Sequence, residues 1–292
     1  MKVLITGAQG QIGKELTHTA IAHGYEVYSV GREELDITKA SNVDIFFNQY
    51  KPDIVINAAA YTTVDKAEEE QDIAYAINCD GTKNIAAACA EASIPLFHIS
   101  TDYVFDGSKT EPYSEEDTIS PLGIYGDSKW RGEEEIRKKL SSAIILRVAW
   151  VFGMHGNNFV KTMLRLGKDK NELNVVADQF GGPSPAKDIA DTLIKLVTYY
   201  QKNNDLQWGT YHYCGSPKTS WYEFATEIFQ QANEIGLMKK KIKVNPIPTT
   251  EYPTPAKRPE NSMLDCTKIS NIYNIDMPDW RVELKNLLTE LK

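Results

Sequence analysis

Short β-branched and aliphatic runs alternate along the first half of the chain with longer segments whose apolar residues recur every three or four positions. The runs are Val3-Leu4-Ile5, Val27-Tyr28-Ser29-Val30, Ile54-Val55-Ile56, Leu96-Phe97-His98-Ile99 and Ile144-Ile145-Leu146, and helical patterns fall between them near 11–23, 40–50, 71–92 and 126–139. Strands this short and this continuously apolar are covered on both faces, which is the mark of a parallel sheet between helix layers. The rhythm predicts an α/β fold, a doubly wound parallel sheet of the Rossmann type, over residues 1–150. After about residue 150 the rhythm weakens. Pro and Gly cluster at 181–185 and 246–259, and helical patterns near 187–202, 220–236 and 281–291 recur with fewer strands between them. A smaller C-terminal α/β domain over 151–292 fits this, with some segments returning to the first domain.

Composition narrows the function classes. The 292 residues carry 40 acidic and 32 basic side chains, a formal charge of −8. A nucleic-acid partner calls for the opposite sign. Hydrophobic residues at 42% and charged residues at 25% suit a packed globular protein rather than a disordered one. No stretch approaches the roughly 18 unbroken apolar residues of a membrane helix. Met1-Lys2 runs directly into an apolar strand without a signal-peptide core, so a cytoplasmic protein without a membrane partner is expected. Cys79, Cys89, Cys214 and Cys266 form no CxxC pair and read as reduced structural thiols. The runs Glu68-Glu69-Glu70, Glu133-Glu134-Glu135 and Lys239-Lys240-Lys241 read as solvated helix faces.

Candidate chemistry begins directly after the first strand, at Gly7-Ala8-Gln9-Gly10-Gln11-Ile12-Gly13. The first glycine permits a tight turn, the second a close approach of backbone to a pyrophosphate, and the third close packing of helix on sheet. Strand before and helix after is the context this mechanism requires, and it makes 1–150 a dinucleotide-binding domain and 151–292 mainly a substrate domain. After the second strand, where an NAD-selective fold often offers an acidic residue, the chain reads Gly31-Arg32. An arginine there suits a 2′-phosphate, so NADPH is favoured with NADH possible; the alternative is a surface arginine in a loop.

The sharpest signal is Tyr125-Gly126-Asp127-Ser128-Lys129, a YxxxK at the start of a predicted helix. Residues i and i+4 share a helix face, which sets the ammonium beside the phenol. A neighbouring cation stabilises phenolate and lowers a pKa that is otherwise about 10. Thr101, at the carboxyl end of the fourth strand, offers a hydroxyl to polarise a carbonyl where ligands of open α/β sheets gather. The adjacent Ser100 offers another, and either can instead cap a turn.

The GxxGxxG spacing resembles the extended branch of the short-chain dehydrogenase/reductase superfamily. Asn57-Ala58-Ala59-Ala60 resembles its NAAA segment against the cofactor, and Asp36-Ile37-Thr38 its adenine-contacting region. More specific are Ser100 to Gly107 (STDYVFDG), Pro121 to Gly126 (PLGIYG), Arg147 to Gly153 (RVAWVFG), Asn158-Phe159-Val160, Asp178 to Pro183 (DQFGGP) and Arg258 to Ser262 (RPENS). Over nearly the whole chain these resemble the dTDP-4-dehydrorhamnose reductase family.

The resemblance implies reduction of the 4-keto group of dTDP-4-dehydro-β-L-rhamnose to dTDP-β-L-rhamnose, a sugar donor for cell-surface polysaccharide. It implies Tyr125 as proton donor, Lys129 as holder of the nicotinamide ribose and tuner of Tyr125, and Thr101 as partner of the developing oxyanion. Gly7, Gly10, Gln11, Ile12, Gly13, Arg32, Asp36, Ile37, Ala58, Ala59 and Ala60 would bind cofactor. Thr101, Asp102, Tyr103 and Trp150 would surround the deoxysugar, the indole covering its apolar face while its N–H meets a polar group, and Arg258 would approach the nucleotide. Two rivals stand beside this reading: an NADP-binding partner protein similar to the regulatory subunit of methionine adenosyltransferase, and another extended-branch nucleotide-sugar epimerase or dehydratase. The sequence assigns no metal ligands and leaves monomer and homodimer open. Some relatives dimerise through a glutamate cluster holding Mg²⁺, for which Glu15 is the one matching position.

Overall fold

The computed structural model describes all 292 residues. In the first half the chain builds β1 (Lys2–Thr6), α1 (Gln11–Ala22), β2 (Glu26–Val30), α2 (Ala40–Tyr50), β3 (Ile54–Asn57), α3 (Val64–Ala67), α4 (Gln71–Tyr75), α5 (Thr82–Ala92), β4 (Leu96–Thr101), α6 (Ile124–Lys139) and β5 (Ala143–Val148). The expected helix at 71–92 is interrupted by a π-helical turn, Ala76–Gly81. The second half adds β6 (Val151–Phe152), α7 (Phe159–Asp169), β7 (Glu172–Val176), β8 (Phe180–Gly181), β9 (Ser184–Pro185), α8 (Ala186–Asn203), β10 (Gly209–Tyr213), β11 (Thr219–Ser220), α9 (Trp221–Glu234), β12 (Lys243–Ile247), α10 (Thr267–Tyr273) and α11 (Trp280–Glu290).

Six strands form one parallel sheet in the order β10-β5-β4-β3-β1-β2. Side chains on a strand alternate between faces, so each strand feeds two cores. Val3, Ile5, Ile54, Ile56 and Phe97 join Leu16 and Ala20 of α1 and Ile189, Leu193 and Val197 of α8 on one face. Leu4, Val55, Leu96 and Ile145 join Val43 and Phe47 of α2, Ile85 and Cys89 of α5 and Ile136 of α6 on the other. The doubly wound expectation is met. Strand order reverses between β1 and β3, and at such a switch point a crevice opens beyond the carboxyl ends of the strands.

A separate core unites Phe152, Val160, Met163, Leu173, Phe224, Ile228, Trp280 and Leu284 from the second half. Three later segments lie on the first sheet instead: β10 pairs with β5, α8 docks on α1, where Thr19 Oγ1 donates to Asp191 Oδ1 at 3.1 Å, and Leu264 and Ile269 of the α10 segment enter the first core.

The acidic runs depart from their reading as solvated faces. Glu133 is fully buried between Arg147 and Arg137, accepting from Arg147 Nε at 2.9 Å and Nη2 at 2.7 Å. Glu68 Oε1 accepts the Ile124 N–H at 2.9 Å, and Glu70 accepts the Tyr61 hydroxyl at 2.6 Å. All four cysteines are free. Cys214 and Cys266 are buried with sulfurs 3.8 Å apart, and the Cys266 thiol is pushed up by its bond to Cys214 and by burial.

Candidate active site

The glycine turn fits its chemistry atom by atom. Gly7 has φ +68°, and a Cβ there would strike Ala59 N at 2.5 Å; a Cβ on Gly13 would strike Gly7 O at 2.2 Å. Those two glycines are required by the protein's own packing. At Gly10 a Cβ would meet only Gly7 O, at 3.3 Å, and the residue faces a cleft of about 860 Å³. The turn therefore presents bare backbone to open space at a helix N-terminus, the geometry that receives an anion. Gln11, Ile12, Asp36, Ile37, Ala58, Ala59 and Ala60 line the same cleft. Arg32 lines it too, exposed and in no ion pair, while Glu34 Oε2 closes the loop by accepting the Gly31 N–H at 2.9 Å. Thr38 hydrogen bonds hold the Asp36 carboxyl below its ordinary range.

At the far end of this cleft stand Thr101, Asp102, Tyr103, Tyr125, Lys129 and Trp150. Tyr125 and Lys129 ride on α6, whose first turn is fixed by the Glu68 bond to Ile124. A Cβ on Gly126 would strike Tyr103 O at 2.1 Å, so glycine lets α6 press against the turn after β4. The buried Asn78 side chain, in the π-helical turn, donates to Ser128 Oγ at 3.0 Å and accepts the Tyr61 N–H at 2.9 Å.

Lys129 is 2% exposed. Its ammonium donates to Ile99 O at 2.6 Å and faces His98 Nε2 at 3.3 Å, and burial pulls it down to about 8. The expected tuning of Tyr125 by Lys129 is not what this arrangement shows. Burial pushes the phenol well above its ordinary value, the Thr101 hydroxyl opposes that, and the Asp102 charge adds to it. The helix face is shared as the spacing requires, but the amine is turned inward to strand β4 by the Ile99 carbonyl.

Thr101 and Ser100 separate cleanly. Ser100 Oγ donates to Glu133 Oε1 at 2.6 Å, on the buried side of the sheet. Thr101 Oγ1 donates to Asp102 Oδ1 at 3.0 Å and accepts the Tyr103 N–H at 3.2 Å. Asp102 is 2% exposed, its Oδ2 has no partner, and burial raises it to about 6. An unpaired buried acceptor in a cleft is a place for a ligand's hydroxyl. Tyr103 packs edge-on to Tyr125 with centroids 5.5 Å apart, and burial pushes its phenol up to about 12.

The RmlD substrate binding domain family matches residues 1–292. A dTDP-4-dehydrorhamnose reductase of Aggregatibacter actinomycetemcomitans is 46% identical over 287 residues, 98% of each chain. A crystal structure of that enzyme from Clostridium acetobutylicum superposes with TM-score 0.93 at 40% identity, covering 100% of this chain and 99% of the other. One from Bacillus anthracis, in complex with NADP, gives 0.92 at 39% identity with 99% of each chain covered. This chain belongs to the dTDP-4-dehydrorhamnose reductase family.

In this member of the dTDP-4-dehydrorhamnose reductase family, two predicted contacts differ in detail. Trp150 lines the cleft, but its N–H donates to Ser262 Oγ at 3.0 Å and one face of the indole stacks on Trp221 at 3.4 Å. The N–H meets a polar group, as expected, and that group is the Ser262 hydroxyl of the protein itself. Its backbone is left-handed, φ +46°, a strained state for a large residue and one that concentrates at functional sites. Arg258 does not line the first cleft. It pairs with Asp65 at 2.8 Å and borders an adjoining cavity of about 970 Å³ with Val175, Gln179, Trp221 and Tyr252. Its Nε is buried without a partner.

The metal-ligating side chains beside Glu15 within the chain are His18 and His155. The local sequence gives no role to Asn78, His98 or Trp221, all three of which the fold brings to the site or its supports. Nothing in the local pattern distinguishes His98 from core filler, since it sits inside an apolar run. No helix is long and apolar enough to cross a membrane.

Proposed function

We propose that the chain binds NADPH along the cleft from Arg32 to Lys129 and reduces the 4-keto group of dTDP-4-dehydro-β-L-rhamnose to give dTDP-β-L-rhamnose. The observation that carries the reading is the placing of Tyr125 and Lys129 on one helix face, in one cleft, between the glycine turn and the Thr101–Asp102 pair. Residues 1–150 form mainly the cofactor-binding part, and 151–292 mainly the substrate part, with α8 and β10 returned to the first sheet. The enzyme acts in the cytoplasm as a supplier of activated deoxysugar.

Gly7, Gly10 and Gly13 hold the pyrophosphate, Arg32 the 2′-phosphate, Asp36 and Ile37 the adenine side, Ala58 to Ala60 the middle of the cofactor, and Lys129 the nicotinamide ribose. NADPH, when bound, supplies hydride to the carbonyl carbon. Tyr125 then donates its phenolic proton to the carbonyl oxygen, and a phenol kept protonated by burial suits an acid in this direction. Thr101 donates to the same oxygen as charge develops. Asp102 accepts a sugar hydroxyl at Oδ2, Tyr103 and Trp150 wall the deoxysugar, and Arg258 reaches the nucleotide from the adjoining cavity.

NADPH oxidation measured against a small panel of dTDP-keto-sugars tests the assignment. Turnover confined to the 4-keto-6-deoxy member is expected. Tight NADPH binding without oxidation by any member would remove the reductase assignment in favour of a binding protein.

A further inference from the structure

We propose that Glu15, His18 and His155 bind a divalent transition-metal ion of the zinc class, and that this ion ties the loop before α7 to α1 behind the glycine turn. The second half of that statement rests on the cleft being the cofactor site; the first does not. Glu15 and His18 lie one turn apart on α1, and His155 lies in the loop between β6 and α7. One ligand atom from each falls within 4.8 Å of the other two. Glu15 Oε1 stands 3.7 Å from His155 Nε2, and the two imidazoles meet edge-on with centroids 5.9 Å apart.

Tetrahedral zinc with N and O donors at about 2.0–2.2 Å sets its ligands about 3.4 Å from one another. The Glu15–His155 separation is already close to that. The His18 side chain is the exposed member of the three, free to close the remaining gap by rotating. None of the three side chains has a hydrogen bond to another side chain that ligation would break. Two imidazoles with one carboxylate select zinc, nickel or cobalt over magnesium, which takes oxygen ligands. With three protein ligands and a solvent side, the fourth position belongs to water.

The placement gives the ion a consequence. His155 directly precedes Gly156 and Asn157, which line the cofactor cleft. This loop already leans on the first residue of α1: Asn158 Nδ2 donates to Gln11 Oε1 at 2.9 Å, and a Cβ on Gly156 would meet Gln11 Cγ at 3.0 Å. An ion on Glu15, His18 and His155 adds a clamp one turn further along the same helix, holding the loop where it lines the cleft. Two ligands that favour one loop position assist each other reciprocally.

The test uses the full chain, chelator-treated and kept reduced, titrated with zinc against a chromophoric chelator and with cobalt by visible absorption. One ion per chain is expected, with a cobalt spectrum free of thiolate charge transfer. Outer-shell changes at metal sites cost about 10–100-fold in affinity, so His18→Ala, His155→Gln and Glu15→Gln should each weaken zinc at least tenfold. His23→Ala and Cys79→Ser should not. NADPH affinity should rise at least about fivefold with zinc in the wild type and stay constant in His155→Gln. Unchanged zinc binding in the His18→Ala/His155→Gln double variant would overturn the site. Equal NADPH affinity with and without zinc in the wild type would overturn the tie while leaving the reductase reading untouched, since that is read by turnover.

Discussion

Lys129 Nζ faces His98 Nε2 at 3.3 Å, and the hydrogen bonds around the imidazole fix which of its nitrogens carries the proton. Asn57 Oδ1 accepts the Thr6 hydroxyl at 2.6 Å and the Ala59 N–H at 3.2 Å, so its amide nitrogen is the atom that meets His98 Nδ1 at 3.1 Å. An amide nitrogen only donates. His98, fully buried and held neutral by burial, therefore has its proton on Nε2, pointing at the Lys129 amine. That contact opposes the ammonium and suits the neutral amine, reinforcing the burial that lowers Lys129. His98→Gln replaces the N–H with an amide that can turn its oxygen to the ammonium. A charge-assisted hydrogen bond of about 1.5–3 kcal/mol corresponds to about 1–2 pH units. Lys129 loses its proton as pH rises through about 8, so the alkaline limb of kcat/KM should move up by about that amount in the variant. An unmoved alkaline limb, in a variant that folds, would show that His98 does not govern Lys129.

Removing the phenolic hydroxyl alone isolates the proton transfer. Tyr125→Phe should keep fold and NADPH affinity and lose about 10²–10⁴-fold in turnover. Lys129→Met should in addition weaken NADPH binding, as its ammonium is the group proposed to hold the nicotinamide ribose. Near-normal turnover by Tyr125→Phe would refute the assignment of the proton donor.

How much of this was legible beforehand follows the range over which each signal acts. The five apolar runs and the glycine turn are local, and all five strands and the first helix fall where period and glycine spacing put them. The YxxxK spacing correctly brings Tyr125 and Lys129 to one helix face, but the direction of an amine depends on the carbonyl of Ile99 and the ring of His98, thirty residues away in sequence. Ser100 and Thr101 are indistinguishable as letters; strand alternation sends one to Glu133 and the other to the cleft. Glu133 reads as surface because it sits in a run with Glu134 and Glu135, which stay partly exposed, while Arg147 from β5 meets it inside. Trp221 and the His18–His155 encounter are products of tertiary packing, with no sequence spacing to announce them.

The proposed preference for NADPH rests on Arg32, exposed at the cleft edge after β2. Arg32→Ala should cost NADPH about 1–3 kcal/mol of binding, a lost charge-assisted hydrogen bond, and leave NADH nearly unchanged. Equal weakening of both cofactors in a direct titration would mean that Arg32 does not contact the 2′-phosphate.

Asp102 links the site to stability. Burial raises its carboxyl from an ordinary 3.8 to about 6, so the folded state holds the proton more tightly than the unfolded chain. The stability this contributes is complete below pH 3.8 and is lost as pH rises through about 6. Asp102→Asn has no charge to bury. Its urea midpoint should exceed that of the wild type at pH 7.5, by an amount bounded at the order of 3 kcal/mol, and the advantage should vanish near pH 4. A variant less stable than wild type at both pH values would show that the carboxylate is better satisfied than its unpaired Oδ2 implies.

Trp150 tests the substrate wall and the packing behind it together. A fully enclosed tryptophan costs about 3–5 kcal/mol when truncated; this one is half-buried, stacked on Trp221 and bonded to Ser262. Trp150→Ala should therefore lower the denaturant midpoint measurably, by less than that range, and also reduce kcat/KM for the keto-sugar while NADPH affinity holds. Trp150→Phe separates the two effects, because it keeps an aromatic face against Trp221 while losing the N–H bond, a change of about 0.5–1.5 kcal/mol, and the part of the ring that reaches the cleft. If the indole walls the sugar pocket, the phenylalanine variant stays near wild type in stability yet still shows a raised KM, since the smaller ring withdraws from the cleft. Wild-type KM in Trp150→Phe, with the whole defect of Trp150→Ala appearing as lost stability, would make the residue a prop for Trp221 and leave Tyr103 and Asp102 to select the sugar.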